Sequence, residues 1–117
     1  SIGFVKGFAK ETGSVIAVTG AIDLVSDGDR CYVIRNGRPE MGKITGTGCM
    51  LTCITGTYLA VTDALTACIL AAITLDCAGE CANAAKGLGT YHIELINQLS
   101  VMNEDQITQL SNIQRLL

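Results

Sequence analysis

Between residues 45 and 51 the chain reads Thr45-Gly46-Thr47-Gly48-Cys49-Met50-Leu51, two glycines alternating with threonine ahead of an apolar stretch with helical spacing. If a helix begins there, the backbone N–H groups of residues 46 to 49 have no intrahelical partner and point outward at its positive end. Such a set of donors suits a phosphate or a developing anion, and glycine lets a ligand approach the main chain closely. Close helix packing explains the same glycines without any ligand. Cys49 falls in the first turn, where a thiol is placed to act as base or nucleophile; a small residue chosen for packing is the alternative. Two familiar phosphate loops do not fit. Lys43 precedes the glycines, whereas the Gly-x4-Gly-Lys-Ser/Thr loop needs lysine after them, and Leu51 stands where the dinucleotide fingerprint needs a third glycine or alanine.

The elements that must position this segment follow from periodicity. Phe4, Val5, Phe8 and Ala9 fit a helix that Gly13 stops. Ser14 to Val18 is a short apolar run with the look of a strand buried on both faces, ending at Thr19-Gly20. Helix, buried strand and small-residue turn predict a parallel α/β sheet, with Thr19 at the carboxyl end where ligands sit. Strands at Ile22 to Ser26 and Arg30 to Arg35 flank Asp27-Gly28-Asp29, a hairpin signal, and Asn36-Gly37 supplies another turn. Met50, Ile54 and Tyr58 recur every four residues and predict one buried face for a helix from Cys49 to about Val61. Asp63 is placed to cap a second helix, Ala64 to about Ala85, apolar nearly all round and therefore enclosed by neighbours. A further helical stripe runs from Thr90 to Leu99, and Asn103 with Gln106 reads as the capping box of a final helix.

Composition narrows the class. The chain has 117 residues, 49% hydrophobic and 16% charged, with net charge −3; its mean hydropathy is +0.40 and its pI about 4.9. Intrinsic disorder is excluded, and the acidic balance argues against nucleic acid or an anionic membrane surface as partner. The run from Ala64 to Leu75 between Asp63 and Asp76 is uncharged for only 12 residues, short of the ~20 needed to span a bilayer. Six cysteines accompany a sequence rich in Ala, Leu, Ile and Val. The pairs Cys49/Cys53 and Cys77/Cys81 have helical i, i+4 spacing rather than the Cys-x2-Cys of zinc knuckles, so core filling in a reducing, cytoplasmic compartment is expected. His92 reads as packing or surface; Arg35 and Arg38 flank the Asn36-Gly37 turn and could touch phosphate, with a solvated turn the preferred reading. The opening residues show no signal peptide and no methionine, and read as the continuation of something longer.

Gly46-Thr-Gly-Cys-Met-Leu-Thr52 resembles the active-site motif of the hydroxyethylthiazole kinases, a family of the ribokinase-like superfamily that acts in thiamine salvage. Ile16-Ala-Val-Thr-Gly-Ala-Ile-Asp23 with Val25-Ser-Asp-Gly28 is similar to that family's strand, nucleotide-contacting turn and hairpin. Lys86-Gly-Leu-Gly-Thr-Tyr-His-Ile-Glu-Leu-Ile-Asn97 is similar to its C-terminal Gly-x-Gly stretch. The resemblance implies an α/β, ribokinase-like fold with a mainly parallel sheet flanked by helices. Residues 1–117 would be the C-terminal part of a single kinase domain, with a β-hairpin and a helical end. It implies Mg²⁺-dependent transfer of phosphate from ATP to the primary alcohol of 4-methyl-5-(2-hydroxyethyl)thiazole. Thr19 would contact ATP, Thr47 and Gly48 would belong to the anion hole, Gly46 would contact the thiazole, and Cys49 would be base or orienting group. Most of the superfamily carries aspartate at that position. The family's acidic Mg²⁺ site lies in an N-terminal half with no counterpart here, so no metal residue is assigned, and its members assemble as trimers. The alternatives are another ribokinase-like small-molecule kinase, or a non-catalytic remnant used for assembly or ligand sensing.

Overall fold

A computed structural model describes residues 1–116; Leu117 lies outside the described residues. In chain order the elements are helix α1 (Ile2–Thr12), strands β1 (Ile16–Val18), β2 (Asp23–Ser26) and β3 (Cys31–Ile34), and a 3-10 turn (Pro39–Lys43). Helices α2 (Thr47–Leu59), α3 (Ala64–Cys81), α4 (Leu88–Val101) and α5 (Glu104–Leu110) follow, and then strand β4 (Ile113–Leu116). Local signals account for most boundaries. Gly13 takes the left-handed conformation (φ 67°) and returns its N–H to Ala9, ending α1. Asp63 accepts the N–H of Thr66 at 2.9 Å and starts α3. Asn103 and Gln106 form the reciprocal capping box of α5.

The hairpin turn is closed by one carboxylate. Asp27 Oδ1 accepts the N–H groups of Asp29 (3.0 Å) and Arg30 (2.8 Å), and Oδ2 accepts from the Arg30 guanidinium at 3.0 and 2.8 Å. The Arg30 N–H foremost, helped by its guanidinium and the Asp29 N–H, holds this carboxyl down at about 2 against the opposing effect of burial. The turn rests on α1, where a Cβ added at Gly28 (φ 101°) would come within 2.8 Å of Lys10 Cα.

The sheet order is β1-β2-β3-β4, and every pairing is antiparallel, with Ile16 opposite Ser26, Ser26 opposite Cys31 and Ile34 opposite Ile113. This corrects the expected mainly parallel sheet for the residues of this chain. Residues 19–22 and 27–30 are the only links between the first three strands, whereas parallel neighbours need a crossover of a dozen residues or more. Strand β1 is also less buried than expected: Ile16 is half-buried, and Ala17 and Val18 are exposed. Among the described residues it pairs with β2 alone.

Strand β4 is absent from the sequence reading. Its place is set by Asn36, which is 7% exposed rather than a surface turn residue. The Asn36 amide donates to Leu110 O (2.8 Å) and Glu80 Oε2 (2.9 Å), and its oxygen accepts from Asn112 N at 2.6 Å. Arg35 N–H donates to Asn112 O at 2.9 Å. Asn36→Ala strands these partners, and we expect a loss of about 2 kcal/mol. Urea unfolding will measure it, and faster amide exchange over residues 113–116 than elsewhere will show that β4 has come loose.

Helix α3 forms the centre. Leu65, Ala72, Ile73 and Cys77 pack with Val25 and Ile34 of the sheet, while Leu75 and Ala78 pack with Tyr91 and Leu95 of α4. By length and composition α3 could cross a bilayer; here the sheet, α2 and α4 cover it. It ends at Cys81 rather than Ala85, because Ala82 turns extended and Asn83 Oδ1 captures the Ala85 N–H at 2.8 Å. Cys31 and Cys77 are buried as core filler and Cys68 and Cys81 partly so, whereas Cys49 and Cys53 are exposed, against expectation; all six are free thiols. Burial, with the charges of Glu80 and Asp76, pushes the Cys77 thiol up to about 12, which makes it inert.

Candidate active site

The start of α2 has the predicted form. Gly46 sits just before the helix in a left-handed conformation (φ 94°, ψ −3°), and its carbonyl accepts the Met50 N–H at 2.9 Å. No side chain caps this end. Among the described residues, no protein acceptor takes the N–H groups of Gly46, Thr47, Gly48 or Cys49, in contrast to the capped ends of α3 and α5. The Thr47 hydroxyl donates to Met41 O at 3.4 Å and fastens the helix start to the 3-10 turn.

Two of these four residues, Thr47 and Gly48, line a cavity of about 500 Å³, a size common for small-molecule sites. Thr19, Gly20 and Ala21 wall it after β1, with Asp23 below them; Thr47, Gly48 and Leu51 come from α2; Ala72, Leu75 and Asp76 come from α3. Thr19, Thr47 and Gly48 are therefore brought together, although they are far apart in sequence. Gly46 immediately precedes this wall, and Cys49 is exposed and lies outside the cavity lining. His92, half-buried on α4, is also outside it.

Arg35 and Arg38 are exposed, as a solvated turn requires, and they also line the cavity, where they could meet phosphate. Arg35 Nη1 donates to Gln114 Oε1 (3.0 Å) and Arg38 Nη2 to Glu80 O (3.2 Å). Strand β4 and helix α3 thus hold two guanidinium groups at the cavity that Thr47 and Gly48 also line.

Two acidic residues complete the lining. Asp23 is 5% exposed, and its Oδ1 accepts the Gly20 N–H at 3.1 Å. Asp76 was visible in the sequence only as the end of an apolar run. Burial, then a hydrogen bond with the Asp23 carboxyl, then the charges of Asp23 and Glu80 push it up to about 9, so it is a neutral acid at pH 7. Among the described residues no group of three or more His, Cys, Asp or Glu side chains could hold a metal ion.

Residues 1–105 match the family model described as the hydroxyethylthiazole kinase family. The chain is 40% identical over 117 aligned positions to hydroxyethylthiazole kinase 1 of Methanosphaera stadtmanae, covering 96% of this chain and 41% of that protein. It is 43% identical over 100 positions to the hydroxyethylthiazole kinase of Pyrococcus horikoshii, covering 85% and 38%. A solved structure of a hydroxyethylthiazole kinase protein from Pyrococcus horikoshii OT3 superposes with a TM-score of 0.93 at 37% identity, over 98% of this chain and 46% of that one. The chain thus spans about 40% of the length of the curated relatives it matches. With the family model covering nine-tenths of the sequence and the glycine-lined helix start open on a cavity, the chain belongs to the hydroxyethylthiazole kinase family.

Proposed function

We propose that this chain is the C-terminal, phosphate-handling part of a single ribokinase-like domain. That domain transfers the γ-phosphoryl group of ATP to the primary alcohol of 4-methyl-5-(2-hydroxyethyl)thiazole, giving the thiazole phosphate for thiamine salvage. The observation that carries this reading is the set of unpartnered N–H groups at the start of α2, facing a cavity that Thr19 and two arginines share. Phosphoryl transfer passes through a loose transition state in which charge spreads over the equatorial oxygens, so positioning and charge stabilisation dominate. Thr47 and Gly48 supply preorganised donors for that charge. Thr19, in the lining of the same cavity, contacts the nucleotide, and Arg35 and Arg38 balance its phosphates.

Cys49, in the first turn of α2 and exposed outside the cavity lining, is assigned to the acceptor. Its thiol orients the alcohol or takes its proton, while Gly46 contacts the thiazole. Magnesium, when bound to the nucleotide, neutralises phosphate charge; its protein ligands belong to sequence outside this chain. Further proposals for the full-length protein are parallel strands beside the free edge of β1, a trimeric assembly and a cytoplasmic location.

The test is a coupled ADP-release assay on the full-length protein with the thiazole alcohol, hydroxymethylpyrimidine and ribose. The thiazole alcohol is expected to be the preferred acceptor, and preference for either of the others overturns the substrate assignment. Cys49→Ala is expected to lower kcat about tenfold to a hundredfold with the KM for ATP unchanged, the low end of general-base effects because the nucleophile is barely bonded at the transition state. Unchanged turnover at saturating substrate removes Cys49 from the base role.

A further inference from the structure

Asp76 breaks the apolar face of α3 and lines the cavity. Its Oδ2 is buried, and among the described residues no N–H or O–H donor reaches it. A second carboxyl group, Asp23 of β2, lines the same cavity and is the neighbour that acts most strongly on Asp76. Two carboxylates offer four oxygens and no donor, so this contact is cohesive only when one of the pair carries a proton. Asp23 in turn accepts the Gly20 N–H at 3.1 Å, and Gly20 directly follows Thr19. A continuous path therefore joins the central helix to the turn that displays Thr19.

We propose that Asp76 is a positioning residue for nucleotide binding: as a carboxylic acid it donates to Asp23, which holds the Thr19–Gly20 turn in the shape that presents Thr19 to the cavity. The proposal rests on the reading of Thr19 as a nucleotide contact. Other groups around the pair fit this protonation state. Along α3, Glu80 adds negative charge beside Asp76 while its own Oε2 accepts from Asn36 at 2.9 Å, and the Cys77 thiol stays neutral. From α4, the Tyr91 hydroxyl is committed to Gly79 O at 2.9 Å. Arg35 and Arg38 line the cavity from the loop after β3, and their hydrogen bonds go to Gln114 and to the Glu80 backbone. No described hydrogen bond from a cation reaches Asp76 to replace the proton.

The sign of the pH effect follows. Below about 9 the proton bridges the two groups; above it both ionise, repel, and release the turn. An unfolded Asp76 ionises near 3.8, so the native chain holds a proton the unfolded chain has lost over the interval from about 4 to about 9. The contribution of this group to stability therefore falls as pH rises through that interval.

Steady-state kinetics on the full-length protein between pH 7 and 10 test the proposal. In the parent, the KM for ATP is expected to rise about tenfold between pH 8 and 10, with the kcat profile not following it. Asp76→Asn keeps a donor to Asp23 at every pH, so its KM should stay flat. Asp76→Leu should show a raised KM already at pH 7. An alkaline rise in Asp76→Asn equal to that of the parent overturns the proposal, as does an unchanged KM in a folded Asp76→Leu. Carboxyl ¹³C NMR of the same protein reads the pair without turnover. One aspartate titrating near 9 in the parent and none there in Asp76→Asn supports the shared proton, and normal acidic titration of both groups in the parent overturns it. Failure of the parent to turn over any acceptor at pH 7 strikes at the kinase reading instead, and the NMR result then still decides the carboxyl pair.

Discussion

Alanine in place of Gly46 should reduce kcat/KM of the full-length protein about 10²–10³-fold, the loss typical when a preorganised anion-hole donor is displaced. The cause is conformational rather than steric. Gly46 holds φ 94°, where an L residue costs about 1–2 kcal/mol, yet an added Cβ would meet nothing nearer than Met50 Cε at 3.9 Å. The chain therefore has room for the methyl group and relieves the strain by turning the peptide planes that open α2. That rotation redirects the N–H groups of Thr47, Gly48 and Cys49 together. Circular dichroism should show the helices retained while activity falls, which separates the effect from unfolding. Activity within tenfold of the parent would mean that these donors do not hold the group being transferred.

Gly28→Ala should instead act on stability, lowering it by about 4 kcal/mol in urea unfolding. Two effects combine there. The left-handed φ of 101° penalises any side chain, and the new Cβ meets the backbone of Lys10, with N at 2.9 Å and Cα at 2.8 Å. A flexible side chain could step aside; a helix backbone moves only by lifting α1 from the sheet, at an overpacking cost of about 1–3 kcal/mol. Lifting it uncovers Val5 and Ala9, which α1 buries. A change below about 1 kcal/mol would show that α1 shifts without cost. Gly42 is a suitable control, since nothing lies within 4 Å of a Cβ built there and its φ is ordinary.

What the sequence made legible was what neighbouring residues encode. Gly13, Asp63 and the Asn103–Gln106 pair act within four positions of themselves, and each marks a boundary the structure keeps. The glycine-rich start of α2 was legible for the same reason, and family resemblance singled out Thr19, which lines the same cavity. Strand direction was not legible, because an apolar run such as Val15 to Val18 reads alike whether its partner runs parallel or antiparallel. Strand β4 carries no alternation of its own, since Ile113, Gln114 and Arg115 are all exposed, and it exists through Asn36 more than seventy positions away. Asp76 joined the cavity lining only once α3 and the loop after β3 faced one cavity.

The pairing of β3 with β4 also bears on how the molecule assembles. Arg35 and Gln114, 79 positions apart, meet at that seam, and closing a loop of that length costs about 4 kcal/mol of chain entropy. The hairpin and the α2–α3 pair close over a handful of residues and are free to form early; the terminal strand docks last. Because Asn36 and Arg35 belong both to this seam and to the cavity wall, competence to bind a ligand there arrives with the slowest folding step, not with the first helices.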